Sequence, residues 1–121
     1  MAKYIPDSLL NDFLTACRGT RYYVTNAVPT SPAEVGTFRL NDTPATPSYG
    51  AIADGAIDGR SQVENGQTGI AVDNAGTANN VAITDGTDNP LVVTEVSNPQ
   101  ALTTSATIDT ASFTQTIRDV T

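Results

Sequence analysis

Near the start of the chain the apolar residues Leu9, Leu10, Phe13, Leu14 and Cys17 recur at helical spacing, with Asn11, Asp12, Thr15 and Arg18 on the opposite face. The spacing predicts a helix from about Ser8 to Arg18. Asp7 or Ser8 supplies the N-cap acceptor, and Gly19 stands where a left-handed C-terminal residue is wanted. A helix this short is marginal alone in water, so it must dock, and Leu9, Leu10, Phe13 and Leu14 form the docking face.

After Gly19 the period changes. Arg21-Tyr22-Tyr23-Val24-Thr25 is rich in aromatic and β-branched residues and reads as the first strand. Tyr22 and Tyr23 then point to opposite faces, one into the core and the other outward, either as ordinary sheet cover or as a contact anchor. Pro29, Pro32, Gly36, Asn41-Asp42, Pro44 and Pro47 crowd the stretch from Ala27 to Pro47. Prolines remove ladder donors, which predicts loop or sheet edge there, with at most a short strand at Thr37 to Leu40.

From Ser48 onward short apolar runs alternate with turn signals. The runs are Tyr49–Ala53, Arg60–Glu64, Gly69–Val72, Asn80–Thr84, Pro90–Val96, Ala101–Ile108 and Ser112–Arg118. Between them lie Asp54-Gly55, Asn65-Gly66, Asp73-Asn74-Ala75-Gly76, Asp85-Gly86 and Asn98-Pro99, and Asn-Gly and Asp-Gly pairs favour tight hairpins. The predicted fold is mainly β: an antiparallel β-sandwich or barrel with one short N-terminal α-helix and no second one. A single domain spans residues 1–121, with an arm and helix over 1–19 and a β domain over 20–121. Val24, Ile70, Val72, Val81, Ile83, Val92, Phe113 and Ile117 are the expected core. The echo between Ala51–Gly55 and Ala82–Gly86 reads as a recurring strand-and-turn rather than a duplication, and no third copy signals a solenoid or propeller.

Composition sharpens this picture. The chain has 6 basic and 13 acidic residues and a net charge of -7, which disfavours nucleic acid and anionic membrane surfaces as partners. Neither a leader pattern nor a spanning stretch follows Met1-Ala2-Lys3, so the expectation is a soluble, unprocessed product, made in a reducing cytoplasm given its single Cys17. Much of the apolar content is alanine, and tryptophan is absent. With few large side chains to offset an ordering cost of about 1.5 kcal/mol per residue, association with other subunits is expected to supply the missing burial.

Chemistry is hard to find. Histidine is absent, which removes the usual general base and the commonest metal ligand. Cys17 lies on the apolar stripe, where a thiol packs as a small hydrophobe with a raised pKa. Asp54, Asp58, Asp73, Asp85 and Asp88 invite a calcium reading, but Ala56 breaks the EF-hand spacing and each aspartate has a plainer task in a turn. A glycosidase carboxylate pair would lack its aromatic sugar platform. The glycines are scattered singly in turns, so no phosphate loop or dinucleotide fingerprint forms. The expectation is a protein without enzymatic activity and without cofactor or metal.

The opening Tyr4-Ile5-Pro6-Asp7-Ser8-Leu9-Leu10, the run Arg21-Tyr22-Tyr23-Val24-Thr25-Asn26 and the closing Thr116-Ile117-Arg118-Asp119 resemble small structural proteins encoded in the head gene clusters of tailed bacteriophages. The resemblance implies a capsid decoration, or cement, protein on the outer capsid surface of the virion. Its implied partners are the major capsid protein and itself, commonly as a homotrimer at three-fold positions. The contacts would fall on Tyr4, Ile5 and Pro6 and on the proline-rich stretch with Pro29, Pro32, Pro44 and Pro47, where apolar residues have few sheet partners of their own. The alternatives are a tail- or fibre-associated receptor-binding module, which would share the all-β composition, and a small enzyme of unfamiliar type, which the side-chain inventory disfavours.

Overall fold

The computed structural model describes residues 5–55 and 59–117. In chain order these form α1 (Asp7–Ala16), β1 (Arg21–Thr25), α2 (Pro32–Phe38), β2 (Ala53–Asp54), β3 (Arg60–Glu64), β4 (Ile70–Ala71), β5 (Gly76–Thr84), β6 (Pro90–Leu102), β7 (Thr107–Ile108) and β8 (Phe113–Ile117). The strands build three antiparallel sheets, ordered β1-β5-β6, β2-β3-β8 and β4-β7. The fold is thus mainly β and sandwich-like, with the expected helix near the N-terminus.

The core lies between these sheets, because alternate residues of β1 and β5 point the same way. Tyr22 and Val24 of β1 meet Val81 and Ile83 of β5, and Leu40, Ile70, Val72, Ala78 and Ile108 complete the cluster. Five of the expected core residues (Val24, Ile70, Val72, Val81 and Ile83) are buried in it, whereas Val92 and Phe113 are only half-buried at its margin. Ile117 is half-buried and stands outside the cluster. Sequence reading missed Tyr22, Leu40 and Ile108 as specific core members.

α1 covers less of the core than its stripe suggested. Only Leu10 and Leu14 are buried, while Leu9 and Phe13 are 57% and 60% exposed. The helix is tied down through polar groups: Gln62 Nε2 donates to Leu14 O (2.8 Å), and Arg60 Nε donates to Asn11 Oδ1 (2.9 Å). Neither Asp7 nor Ser8 caps it, since Pro6 precedes the first turn with no side-chain hydrogen bond. Gly19 does not take the left-handed conformation predicted for it. A Cβ there would run into Thr84 O and sit 2.5 Å from Ile83 Cγ2, so this glycine lets the helix exit pass directly over β5.

The proline-rich stretch departs furthest from expectation. Thr37 lies in a second helix, α2, not in a short strand. Ser31 Oγ accepts from Glu34 N (3.2 Å), Pro32 occupies the first turn, and Glu34 Oε1 accepts from Thr30 N (2.9 Å). This is a variant of the capping box in which the return bond goes to the N–H of the residue before the N-cap, with proline where its missing N–H costs nothing. Beyond α2, residues 39–45 close the outer edge of β1: Tyr22 and Ala45 exchange two backbone hydrogen bonds, and Leu40 N donates to Val24 O (2.8 Å). The buried Asn41 completes the seal, its Oδ1 accepting from Val24 N (2.8 Å) and its Nδ2 donating to Tyr22 O and Thr43 O. A sheet edge so covered offers no template for pairing.

Two turn signals also read differently in three dimensions. Asn65-Gly66 forms no β3–β4 hairpin, because β3 pairs with β2 and β8. Instead, a Cβ at Gly66 would collide with Thr110 O, so this glycine permits close passage of the two segments. Asn98-Pro99 does not end a strand either. It lies in an interruption of β6, where the register passes from Asn80↔Glu95 to Ala78↔Gln100 and β6 carries the extra residues. Asp54-Gly55 and Asp85-Gly86 do stand at chain reversals, between β2 and β3 and between β5 and β6.

Candidate functional site

The described aspartates suspected of cation binding are engaged by hydrogen bonds and ion pairs within the fold. Asp85 Oδ1 accepts from the backbone N–H groups of Thr87 (2.8 Å) and Asn89 (3.0 Å), and its Oδ2 from Asn89 Nδ2 (3.0 Å). These donors hold its pKa down at about 2. Asp88 Oδ1 receives Arg21 Nη1 (2.9 Å) and the Tyr23 hydroxyl (3.1 Å), Asp54 pairs with Arg60 (2.7 Å), and Asp73 Oδ2 accepts from Asp42 N (2.7 Å). Asp58 lies outside the described residues. Among those described, no group of three carboxylates or thiols converges to hold a metal ion. Cys17 is half-buried, and burial pushes its thiol up.

Neither tyrosine of β1 is free to anchor a partner. Tyr22 hydrogen-bonds Thr110 Oγ1 (2.7 Å) within the core, and Tyr23 is equally buried, with the Arg39 guanidinium 5.7 Å from its ring centre, so the expectation that one of the two faces outward fails.

A polar seam runs where α1 meets the β2-β3-β8 sheet. Gln62 and Glu64 of β3 point inward and are buried, whereas Val63 between them points out. Gln62 is fully used: its Oε1 accepts from Arg18 Nε (2.8 Å), and its Nε2 also donates to Gln115 Oε1 (2.7 Å). Arg18 continues over the Tyr49 ring at 5.2 Å, and the Tyr49 hydroxyl accepts from Gly19 N (3.0 Å). Glu64 is the exception. Neither of its carboxylate oxygens has a hydrogen-bond partner among the described residues, and burial lifts its pKa to about 7. Its charge in turn adds to the upward push that burial gives the phenols of Tyr22 and Tyr49. Sequence offered no signal for this residue, since the polar Gln62 and Glu64 flank the apolar Val63 and pattern reasoning turns the valine inward.

The surface that sequence reading nominated for contacts is partly available. Tyr4 lies outside the described residues. Ile5 is half-buried and Pro6 exposed, and both lead directly into the uncovered Leu9 and Phe13 of α1. In the proline-rich stretch Pro32 is exposed and Pro44 half-buried, but Pro29 and Pro47 are buried within their own chain. The premise that this stretch has few sheet partners fails for residues 39–45, which pair with β1. The arm and the outer face of α1 therefore form the clearer apolar surface.

A groove of about 480 Å³ opens between the interrupted part of β6 and the segment from β7 to the start of β8, with Val24, Val81, Ile108 and Phe113 reaching into it from the core. Among the described residues no helix is long and apolar enough to cross a membrane. No protein-family model, curated protein or solved structure matches the chain.

Proposed function

We propose that this protein is a phage head decoration protein, which binds the outer surface of the capsid and reinforces the shell by bridging neighbouring subunits, without catalysis or cofactor. The observation that carries the reading is the unspent half of the α1 stripe. Leu9 and Phe13 lie one helical turn apart and exposed, and Ile5 and Pro6 lead into their helix, in the segment where the sequence resembles head-cluster proteins. Two large apolar side chains left uncovered side by side supply the apolar contact that a docking surface needs. Several copies engaging the lattice together convert weak individual contacts into attachment that depends on subunit spacing.

Leu9→Ser combined with Phe13→Ser tests this reading, because both side chains are largely exposed and their loss leaves the fold standing. Co-sedimentation with emptied, tailless heads is the measurement. Wild-type protein should pellet with the heads and raise their thermal stability, and the double variant should do neither. Recovery of the protein with tails alone would instead favour a receptor-binding module, and undiminished head binding by the double variant would remove α1 from the contact.

A further inference from the structure

The groove beside β6 has the form of a place left for one more strand. Among the described residues β6 stands at the end of the β1-β5-β6 sheet and β8 at the end of β2-β3-β8, so each has one edge with no partner strand there. The groove runs between residues 94–102 of the first and the approach to the second, and Val24, Val81 and Ile108 of the core form its floor. An extended segment laid there would gain main-chain hydrogen bonds from an edge and apolar contact from the floor, the two ingredients of strand addition.

Charge narrows the choice of occupant. Among the described residues the groove is lined by two acidic residues, Glu95 and Asp109, and by no lysine or arginine. Two identical β6 edges would bring like charges together, so the entering segment should be basic and apolar. Four of the chain's six basic residues are already engaged: Arg18 with Gln62, Arg21 with Asp88, Arg39 with Asp42 and Arg60 with Asp54. The other two are Lys3 and Arg118, in the terminal segments. Lys3 is followed by Tyr4-Ile5, and Pro6 is extended, with φ -64° and ψ 145°. Ile5 does not line the groove of its own chain.

We propose that the groove receives the N-terminal arm, Met1–Pro6, of a second copy of the chain as an added strand. Successive side chains of a strand point to opposite faces, so Tyr4 on the apolar floor directs Lys3 to the acidic rim. The contact joins arm to groove, two different surfaces. Such head-to-tail contacts close into rings when the rotation allows. Nothing in it depends on capsid binding.

Sedimentation velocity at micromolar concentration provides the test. The full chain, 12.6 kDa per copy, should sediment as an oligomer, and both Lys3→Glu and deletion of residues 2–6 should return it to a monomer with an unchanged circular dichroism spectrum. A synthetic peptide of residues 1–7 should bind the deletion variant, shift the amide resonances of residues 94–102, and lose that binding when it carries Lys3→Glu. Exchange between copies is read by mixing the deletion variant, whose groove is intact, with Val96→Arg, whose groove is blocked and whose arm is intact. Hetero-oligomers should form from two chains that are each monomeric alone. A monomeric full chain, an oligomer that survives the deletion, or a peptide that leaves residues 94–102 unshifted would each overturn the proposal.

Discussion

Replacing Glu64 with glutamine probes the buried seam through its pH dependence. The side chain is 0% exposed, its two oxygens have no hydrogen-bond partner among the described residues, and burial raises its pKa from 4.5 to about 7. In the unfolded chain the same group releases its proton near the lower value. Across that window the folded state holds a proton that the unfolded state has lost, so stability is fully present below about pH 4.5, falls as pH rises towards 7, and then levels off. A gap of roughly 2.5 pH units at about 1.4 kcal/mol each comes to roughly 3 kcal/mol. The other shifted carboxylates act elsewhere. Hydrogen bonds from Asn89 and Thr87 lower Asp85 to about 2, and those from Thr30 lower Glu34, so their contributions disappear only in acid. The phenols of Tyr22 and Tyr49 are pushed upward, above the window. Urea unfolding followed by circular dichroism at about pH 5, 6, 7 and 8 should show wild type losing about 2.5 kcal/mol of this total. Glu64→Gln should stay flat and match wild type near pH 5, where both side chains are neutral and similar in shape. A flat wild-type profile, or the same slope in the variant, would refute the assignment of this window to Glu64.

Further substitutions examine the core, the second helix and the sealed edge. Ile83→Ala, at a fully buried position of β5, should cost about 2–5 kcal/mol in chemical denaturation, and Phe113→Ala, only half-buried, should cost less. Ser31→Ala removes the acceptor for Glu34 N and should lower stability by about 1 kcal/mol, whereas a loss near zero would show that the cap is idle. Asn41→Leu strips the partner from the buried Val24 N–H and should cost about 1–3 kcal/mol, with faster hydrogen exchange at Val24 as its local signature. Gly19→Ala places a methyl against Thr84 O and Ile83 and should destabilise the protein, although the backbone here is not left-handed and would itself accept alanine.

The parts of the fold that were legible in the sequence are those in which a single local rule acts. β1 and β3 match the expected Arg21–Thr25 and Arg60–Glu64: β1 is marked by its own aromatic and β-branched content, and β3 by the turn signals Asp54-Gly55 and Asn65-Gly66 that bound it. The error at Pro32 came from weighing proline as a breaker when Ser31-Pro32-Ala33-Glu34 is itself a helix-start pattern. Gly19 and Gly66 were taken for local turn devices, but the atoms they make room for belong to Thr84 and Thr110, far along the chain. No local pattern encodes that. The half-exposed α1 stripe was illegible for a related reason: periodicity identifies an apolar face but not how much of it the rest of the chain covers.

β3 shows what the surrounding network contributes. Sliding this strand by one residue would bury Val63 and release Glu64 and Gln62 to water, which hydrophobic burial alone would favour. The observed register is held against that slip by partners on both sides. Arg60 reaches Asp54 and Asn11, Gln62 binds Leu14 O and Arg18, and Gln62 and Gln115 face each other across the β3–β8 pair. Every one of these five bonds would be broken by a shift of one residue, and each net hydrogen bond contributes about 0.5–1.5 kcal/mol against the slip. The seam therefore exchanges apolar burial for a fixed register, and it leaves Val63 on the outer face and Leu9 and Phe13 uncovered on the helix that docks there. Departures from hydrophobic patterning concentrate where a protein does something other than fold. In this chain they lie along β3 and α1, the same part of the molecule on which the proposed capsid contact falls.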